Sequence, residues 1–250
     1  MAVIYHGNGE CAENYLSDER FAPGWQVLGY DMCLVEYRGY SYYNRQLEPR
    51  IITMLSDTAA IHRKLLHDFP SLQPEEDIVV LGRSIGSIYA SEHASYAPGL
   101  RAVIIESGFA EPGVFLLRRL QADNQTAFDE EGILAESREK LNNAEKLRSY
   151  PGKLLLMHAV DDKVVPSSEA DLNFASSTSK QKKLVIFSIG DHNYMRAANF
   201  FAYWREIAHV SHPEPEQILQ HPFFHQMDPI LPRRSNDESQ PASSFKCVFN

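Results

Sequence analysis

The sequence predicts an α/β fold, a mostly parallel sheet with helices on both faces, and three observations carry that expectation. Short apolar runs recur along the chain, most of them nearly continuous, as strands buried on both faces require. Longer amphipathic segments alternate with them, the pattern of a parallel sheet covered by helices. The 250 residues suffice for one sizeable core, and α/β domains of this length are commonly single.

The runs that predict strands lie at 2–5, 32–35, 78–81, 102–105, 154–157 and 184–188. Helices are expected at 51–68, 84–96, 167–176 and 193–210. Residues 107–150 separate two strands by far more than the usual ~2–6 residue connection. They hold Leu116, Leu117 and Leu120 and then a charged run from Glu136 to Lys146, which predicts a small helical cap inserted in a domain spanning 1–210. From Ser211 the composition changes. Six of the 14 prolines fall within 211–250, so a poorly ordered tail is expected there.

The net charge is −9, which disfavours nucleic acid and anionic membrane surfaces as partners, because both would repel the chain. The three cysteines, Cys11, Cys33 and Cys247, show no paired spacing, and this fits a reducing compartment. No stretch approaches the ~18 apolar residues of a membrane helix. No basic and apolar leader precedes the first strand, so a cytoplasmic location without membrane association is the expectation. His209, His212, His221 and His225 cluster near the C-terminus without a partnering Cys or acid set, and no metal site is expected from them. Cys247 stands four from the end, yet Phe249 and Asn250 depart from a prenylation signal.

The chemistry-bearing residues lie where the expected strands end. Gly82-Arg83-Ser84-Ile85-Gly86 follows an apolar strand and opens a helix. This is the context that a G-x-S-x-G nucleophile turn requires. A turn this tight strains the serine backbone and brings neighbouring backbone close, so glycine is needed two positions to either side. A chance glycine-rich turn would explain these five residues alone, but not the company they keep. His6-Gly7-Asn8-Gly9-Glu10 follows the first strand, and such a turn can aim backbone N–H groups at a developing oxyanion. The Asn8 and Ile85 N–H groups are the expected donors, and Glu10 reads as an exposed turn acid.

Two further strand ends carry an acid and a histidine. One runs into His158-Ala159-Val160-Asp161-Asp162, the other into Gly190-Asp191-His192-Asn193. Serine is a poor nucleophile alone and needs a base, and the base needs a carboxylate to fix its tautomer and stabilise its cation. The chain order Ser84, Asp162, His192 is one of the known orders for such a triad. Taken singly, His192 could be a satisfied turn histidine and Asp162 a surface acid; their joint placement argues for the triad.

Together these segments resemble the alpha/beta-hydrolase superfamily, and within it small intracellular-type serine hydrolases. The likeness rests on His6–Glu10, Glu36-Tyr37-Arg38-Gly39-Tyr40, Gly82–Gly86, Glu106-Ser107-Gly108-Phe109, the loop from His158 to Pro166, and Gly190-Asp191-His192-Asn193, and covers about residues 2–209. It implies an acid four residues after the loop histidine, which selects Asp162 over Asp161. Two departures stand out. Ser41-Tyr42-Tyr43-Asn44 replaces a glycine-containing turn of the family. The family usually carries two or more strands before the oxyanion turn, whereas Met1 stands here at the start of that strand, so either the hairpin is lacking or the true start lies upstream; its loss would leave 32–35 at a sheet edge open to self-association.

The resulting expectation is a serine hydrolase acting on a small-molecule carboxylic ester or thioester, with Ser84 as nucleophile, His192 as base, Asp162 as acid and no cofactor. An amidase or peptidase with the same triad is the alternative within enzymes. A non-catalytic binding protein on a truncated hydrolase fold is the alternative outside them.

Overall fold

The computed structural model describes residues 1–40, 46–122 and 128–225. Its six strands are β1 (Ala2–Tyr5), β2 (Met32–Val35), β3 (Val79–Arg83), β4 (Ala102–Glu106), β5 (Lys153–Ala159) and β6 (Lys182–Phe187). They form one sheet in the order β2-β1-β3-β4-β5-β6, parallel throughout. The expected strands are all present, and the expected edge position of 32–35 is where β2 lies.

Alternation along the strands explains their near-continuous apolar character. Val3, Tyr5, Val80, Val103, Ile105, Leu154 and Leu156 enter one buried cluster. Ala2, Ile4, Val79, Leu81, Ala102, Ile104, Leu155 and Met157 enter the other. The inner strands β1, β3, β4 and β5 thus bury both faces, as a sheet sandwiched between helices must, while the edge strands β2 and β6 are only partly buried. The first cluster is completed by α3 (Thr53–Asp68) and α5 (Gly86–Tyr96). The second is completed by α1 (Ala12–Ser17), α2 (Ala22–Val27) and α11 (Phe200–Ser211), where Trp25 and Trp204 meet edge to face at 5.7 Å between centroids.

Residues between β4 and β5 carry α6 (Pro112–Ala122), α7 (Glu130–Lys140) and α8 (Asn143–Arg148). Leu117, Leu120 and Ile133 form a small cluster of their own, with Phe128 and Leu134 packed on it. The remaining helices are α4 (Pro74–Asp77), α9 (Ser168–Ser176), α10 (Met195–Ala198) and α12 (Pro215–Ile218). The segment expected as one helix over 193–210 is broken at Asn199, whose side-chain amide donates to the carbonyls of Ile189 and Met195.

The loss of order expected from Ser211 does not begin there. The chain continues through α12 into a 3₁₀ turn at Pro222–His225, where Phe223 and Phe224 are buried against Trp204. Aromatic anchors outweigh the proline-rich composition, and Pro215 sits in the first helical turn, where its missing N–H costs nothing. The rest of the expected tail, 226–250, lies outside the described residues. No helix among the described residues is long and apolar enough to cross a membrane.

Candidate active site

Every strand is parallel, so all carboxyl ends open on one side of the sheet, the side where α/β folds place their chemistry. Four of these ends supply the residues singled out in the sequence.

At the end of β3 the chain turns sharply into α5. Ser84 has φ of 53°, in the left-handed region that an L-residue rarely adopts. The flanking glycines have steric reasons. A Cβ on Gly82 would come within 2.5 Å of the Gly86 carbonyl oxygen, and one on Gly86 within 2.2 Å of the Tyr5 carbonyl oxygen. The Ser84 N–H donates to the Glu106 carbonyl at 2.9 Å, which ties the turn to the end of β4.

His192 Nε2 lies 3.0 Å from Ser84 Oγ, and His192 Nδ1 lies 2.7 Å from Asp162 Oδ2. A carboxylate only accepts, so Nδ1 carries the proton and Nε2 is left to accept from the serine hydroxyl. The structure therefore brings together Ser84, His192 and Asp162, all three buried. Asp161 points away, its side chain 69% exposed and 3.8 Å from Lys163.

Asp162 is held from several sides. Its Oδ1 accepts the N–H groups of Val164 and Val165 at 2.9 and 2.8 Å. Its Oδ2 also lies 3.2 Å from Nε2 of His158, which donates to the Val165 carbonyl at 2.8 Å. Burial alone would raise the Asp162 pKa, but hydrogen bonds from His158 and His192 outweigh it and hold the carboxyl well below its ordinary range. The histidine loop is fixed by a local turn, in which Asp191 Oδ1 accepts the N–H groups of Asn193 and Tyr194.

The turn after β1 approaches from the other side. Asn8 is exposed, and its side-chain oxygen accepts the Tyr40 hydroxyl at 2.8 Å. The Asn8 and Ile85 N–H groups donate to no acceptor among the described residues. A cleft beside Ile85 is lined by Tyr37, Tyr40, Ile51, Met54 and Tyr89 together with Arg38 and Arg50. Tyr42 and Tyr43, in the segment that departs from the family's glycine-containing turn, lie outside the described residues.

Glu10 is not the exposed acid expected from the sequence. It turns inward and pairs with Arg83, while its Oε2 accepts the Gly7 N–H at 2.6 Å and the Tyr15 hydroxyl at 2.7 Å. Burial would raise its pKa, but the Arg83 charge and these hydrogen bonds hold it below the usual value. Sequence reasoning missed this pair, and His158 as a second histidine on Asp162. One signal was legible: Arg83 sits between a buried strand and the serine, and a buried guanidinium must find acids.

No family model and no curated protein sequence matches the chain. Solved structures do resemble it. An esterase from Pyrococcus furiosus matches with a TM-score of 0.63 at 14% identity, over 84% of this chain and 80% of its own. A non-heme bromoperoxidase from Mycobacterium tuberculosis matches at 0.62 and 14%, over 84% and 90%. Mouse alpha/beta hydrolase domain-containing protein 10 matches at 0.62 and 14%, over 84% and 88%. At such identity the likeness speaks for the fold, and it agrees with the six-stranded parallel sheet and its flanking helices: this chain has the alpha/beta-hydrolase fold.

Proposed function

We propose that the chain is a serine hydrolase that cleaves carboxylic esters or thioesters through an acyl-enzyme. The observation that carries this reading is the continuous relay from Ser84 Oγ to His192 Nε2 at 3.0 Å and from His192 Nδ1 to Asp162 at 2.7 Å. Ser84 Oγ attacks the acyl carbon while His192 takes its proton. The Asn8 and Ile85 N–H groups, with no other acceptor among the described residues, receive the oxyanion. The tetrahedral species collapses, the bond to the leaving oxygen or sulfur breaks, and His192 returns the proton to that atom. Water then attacks the Ser84 ester with His192 as base, releasing the acid and restoring the serine. Asp162 keeps the imidazole in the working tautomer and stabilises its cation.

The separate cluster on α6 and α7 makes those helices the element we hold to govern chain-length preference. The test is labelling by a fluorophosphonate probe, followed by turnover of p-nitrophenyl esters of graded chain length and of matching amides. Labelling and ester turnover that both vanish in Ser84→Ala support the reading. Labelling with faster amide than ester turnover would favour a peptidase, and no labelling of the folded chain would favour a binding protein.

A further inference from the structure

The reaction above needs two loops at a fixed separation: the turn after β1 that receives the oxyanion, and the loop after β6 that carries the base. Sheet order places β3, β4 and β5 between β1 and β6, so no strand pairing sets that separation. One side chain touches both loops. Arg83 Nη1 pairs with Glu10 in the oxyanion turn. Arg83 Nη2 donates to the His192 carbonyl at 2.8 Å and to the Asn193 side-chain oxygen at 2.9 Å. Its Nε lies 3.4 Å from Glu106, which in turn accepts the Tyr203 hydroxyl at 2.7 Å. The guanidinium is thus occupied on every edge, and its side chain is only 7% exposed.

Glu10 passes the constraint on. One carboxylate oxygen takes Arg83 and the other takes the Gly7 N–H and the Tyr15 hydroxyl. The Gly7 N–H is thereby consumed, and the peptide that follows it is oriented with the Asn8 N–H left over. Little space remains for adjustment, since a Cβ on Gly7 would come within 2.6 Å of Arg83 Nη1 and 2.9 Å of Glu10 Oε2.

We propose that Arg83 and Glu10 form a positioning strut that sets the distance between the oxyanion turn and the His192 loop. Arg83 precedes Ser84 in the chain, but its side chain bonds to Glu10, His192, Asn193 and Glu106 rather than to the Ser84 hydroxyl. Both act through the backbone they hold, Arg83 on His192 and Glu10 on Gly7. The planar fork is essential, because a lysine ammonium is a point charge on a flexible stem and cannot serve two loops in fixed directions. The inference deepens the hydrolase reading and rests on it for its kinetic arm.

The experiment compares wild type, Arg83→Lys, Glu10→Gln and the double variant. Competent sites are counted by fluorophosphonate labelling, and kcat and KM for a p-nitrophenyl ester are expressed per labelled site. A small misplacement of catalytic groups costs on the order of 10²-fold in rate. Each single variant is therefore expected to lose about that much kcat with KM changed only a few-fold. The double variant should be little worse than either single, because one strut is cut only once. Failure of Arg83→Lys to rescue separates the fork from mere charge. A kcat per labelled site near wild type in both single variants would overturn the strut, and so would losses that multiply in the double.

The second readout is independent of turnover. The His192 Nδ1 proton, held by Asp162, should give a low-field resonance in wild type that shifts or broadens in both single variants while the melting temperature stays close to wild type. An unchanged resonance in both variants overturns the strut even for a chain that hydrolyses nothing. Loss of the resonance in variants of an inactive wild type would fault the hydrolase reading and leave the strut standing.

Discussion

His192 meets Asp162 through Nδ1 at 2.7 Å, although a second histidine, His158, lies 3.2 Å from the same carboxylate oxygen. The two imidazoles differ in what their other nitrogen does. His192 turns Nε2 to Ser84, whereas His158 spends Nε2 on Val165 and Asp162, and its buried Nδ1 has no partner. Only His192 can therefore exchange a proton with the serine.

That difference predicts unequal losses at neighbouring acids. Asp162→Asn removes the acceptor that fixes the His192 tautomer, and the expected cost is on the order of 10⁴ in kcat, the magnitude seen in the best-studied triad. Asp161→Asn alters an exposed side chain near Lys163 and should be nearly neutral. Ester turnover of the two variants checks this, and equal losses would refute the assignment of the acid.

Gly86 of the nucleophile turn and Gly9 of the turn after β1 should separate by sterics. In Gly86→Ala the new Cβ meets backbone oxygens of Tyr5 and His6 at 2.2 and 2.7 Å, and neither can move without displacing the end of β1. Overpacking of this kind costs about 1–3 kcal/mol or more. Gly9→Ala meets nothing within 4 Å and is strained only by its φ of 78°, a cost of about 1–2 kcal/mol. Urea unfolding should rank Gly86→Ala as the more damaging, with the Ser84 environment disturbed as well.

Stability should fall with acid earlier than carboxylates alone would cause. His93 is fully buried, and burial together with the neighbouring His62 lowers its pKa to about 3. Its Nδ1 lies 3.1 Å from the Tyr5 hydroxyl and its Nε2 lies 2.9 Å from His62 Nδ1. An unfolded histidine gains its proton near pH 6.5, and the folded one only near 3. The unfolded state thus binds more protons in that window, so stability is full above about 6.5 and declines as pH falls toward 3, by up to about 1.4 kcal/mol per pH unit for one such group. Asp162 and Glu10 have lowered pKa values, and their contribution is lost only as pH falls through and below the ordinary carboxylate range. Urea unfolding between about pH 5 and 7.5 should show a positive slope that is reduced in His93→Gln. An unchanged slope would mean another group governs acid unfolding.

The sheet was legible because its inner strands are apolar on both faces, and the approach of Ser84, Asp162 and His192 was legible because parallel strands deliver their carboxyl ends to one side. Other features depend on partners distant in sequence. Glu10 reads as a surface acid until Arg83, 73 residues later, is folded against it. The short α1 and α2 escaped notice because six residues give too little periodicity, and their burial comes from distant or flanking rings, Trp204 of α11 for α2 and Phe21 for Tyr15 of α1. Proline content hid the packing of Phe223 and Phe224 in the same way, since composition describes the local chain and not the aromatic surface waiting for it.

The edge of the sheet carries the last prediction. Met32, Cys33 and Leu34 of β2 are only partly buried, and a groove of about 550 Å³ runs between β2 and α3, lined by Cys33, Leu34, Val35, Ala60, Ile61 and Lys64 among others. The opposite edge strand, β6, begins with Lys182 and Lys183, charges of the kind that deter strand addition. Among the described residues, β2 itself carries no such charge. Its rim on α3 carries Lys64 and Asp68, opposite charges on one face, which suits pairing with a second copy about a two-fold axis. Self-association through β2 is therefore expected, with activity per folded molecule retained because Ser84 lies away from that edge, beyond β1. Sedimentation velocity across a concentration series, with reductant present to exclude a Cys33 disulfide, should show dimer or larger species that Leu34→Lys suppresses. A monomeric wild type at every concentration, or association unchanged in Leu34→Lys, would show that the edge does not drive assembly.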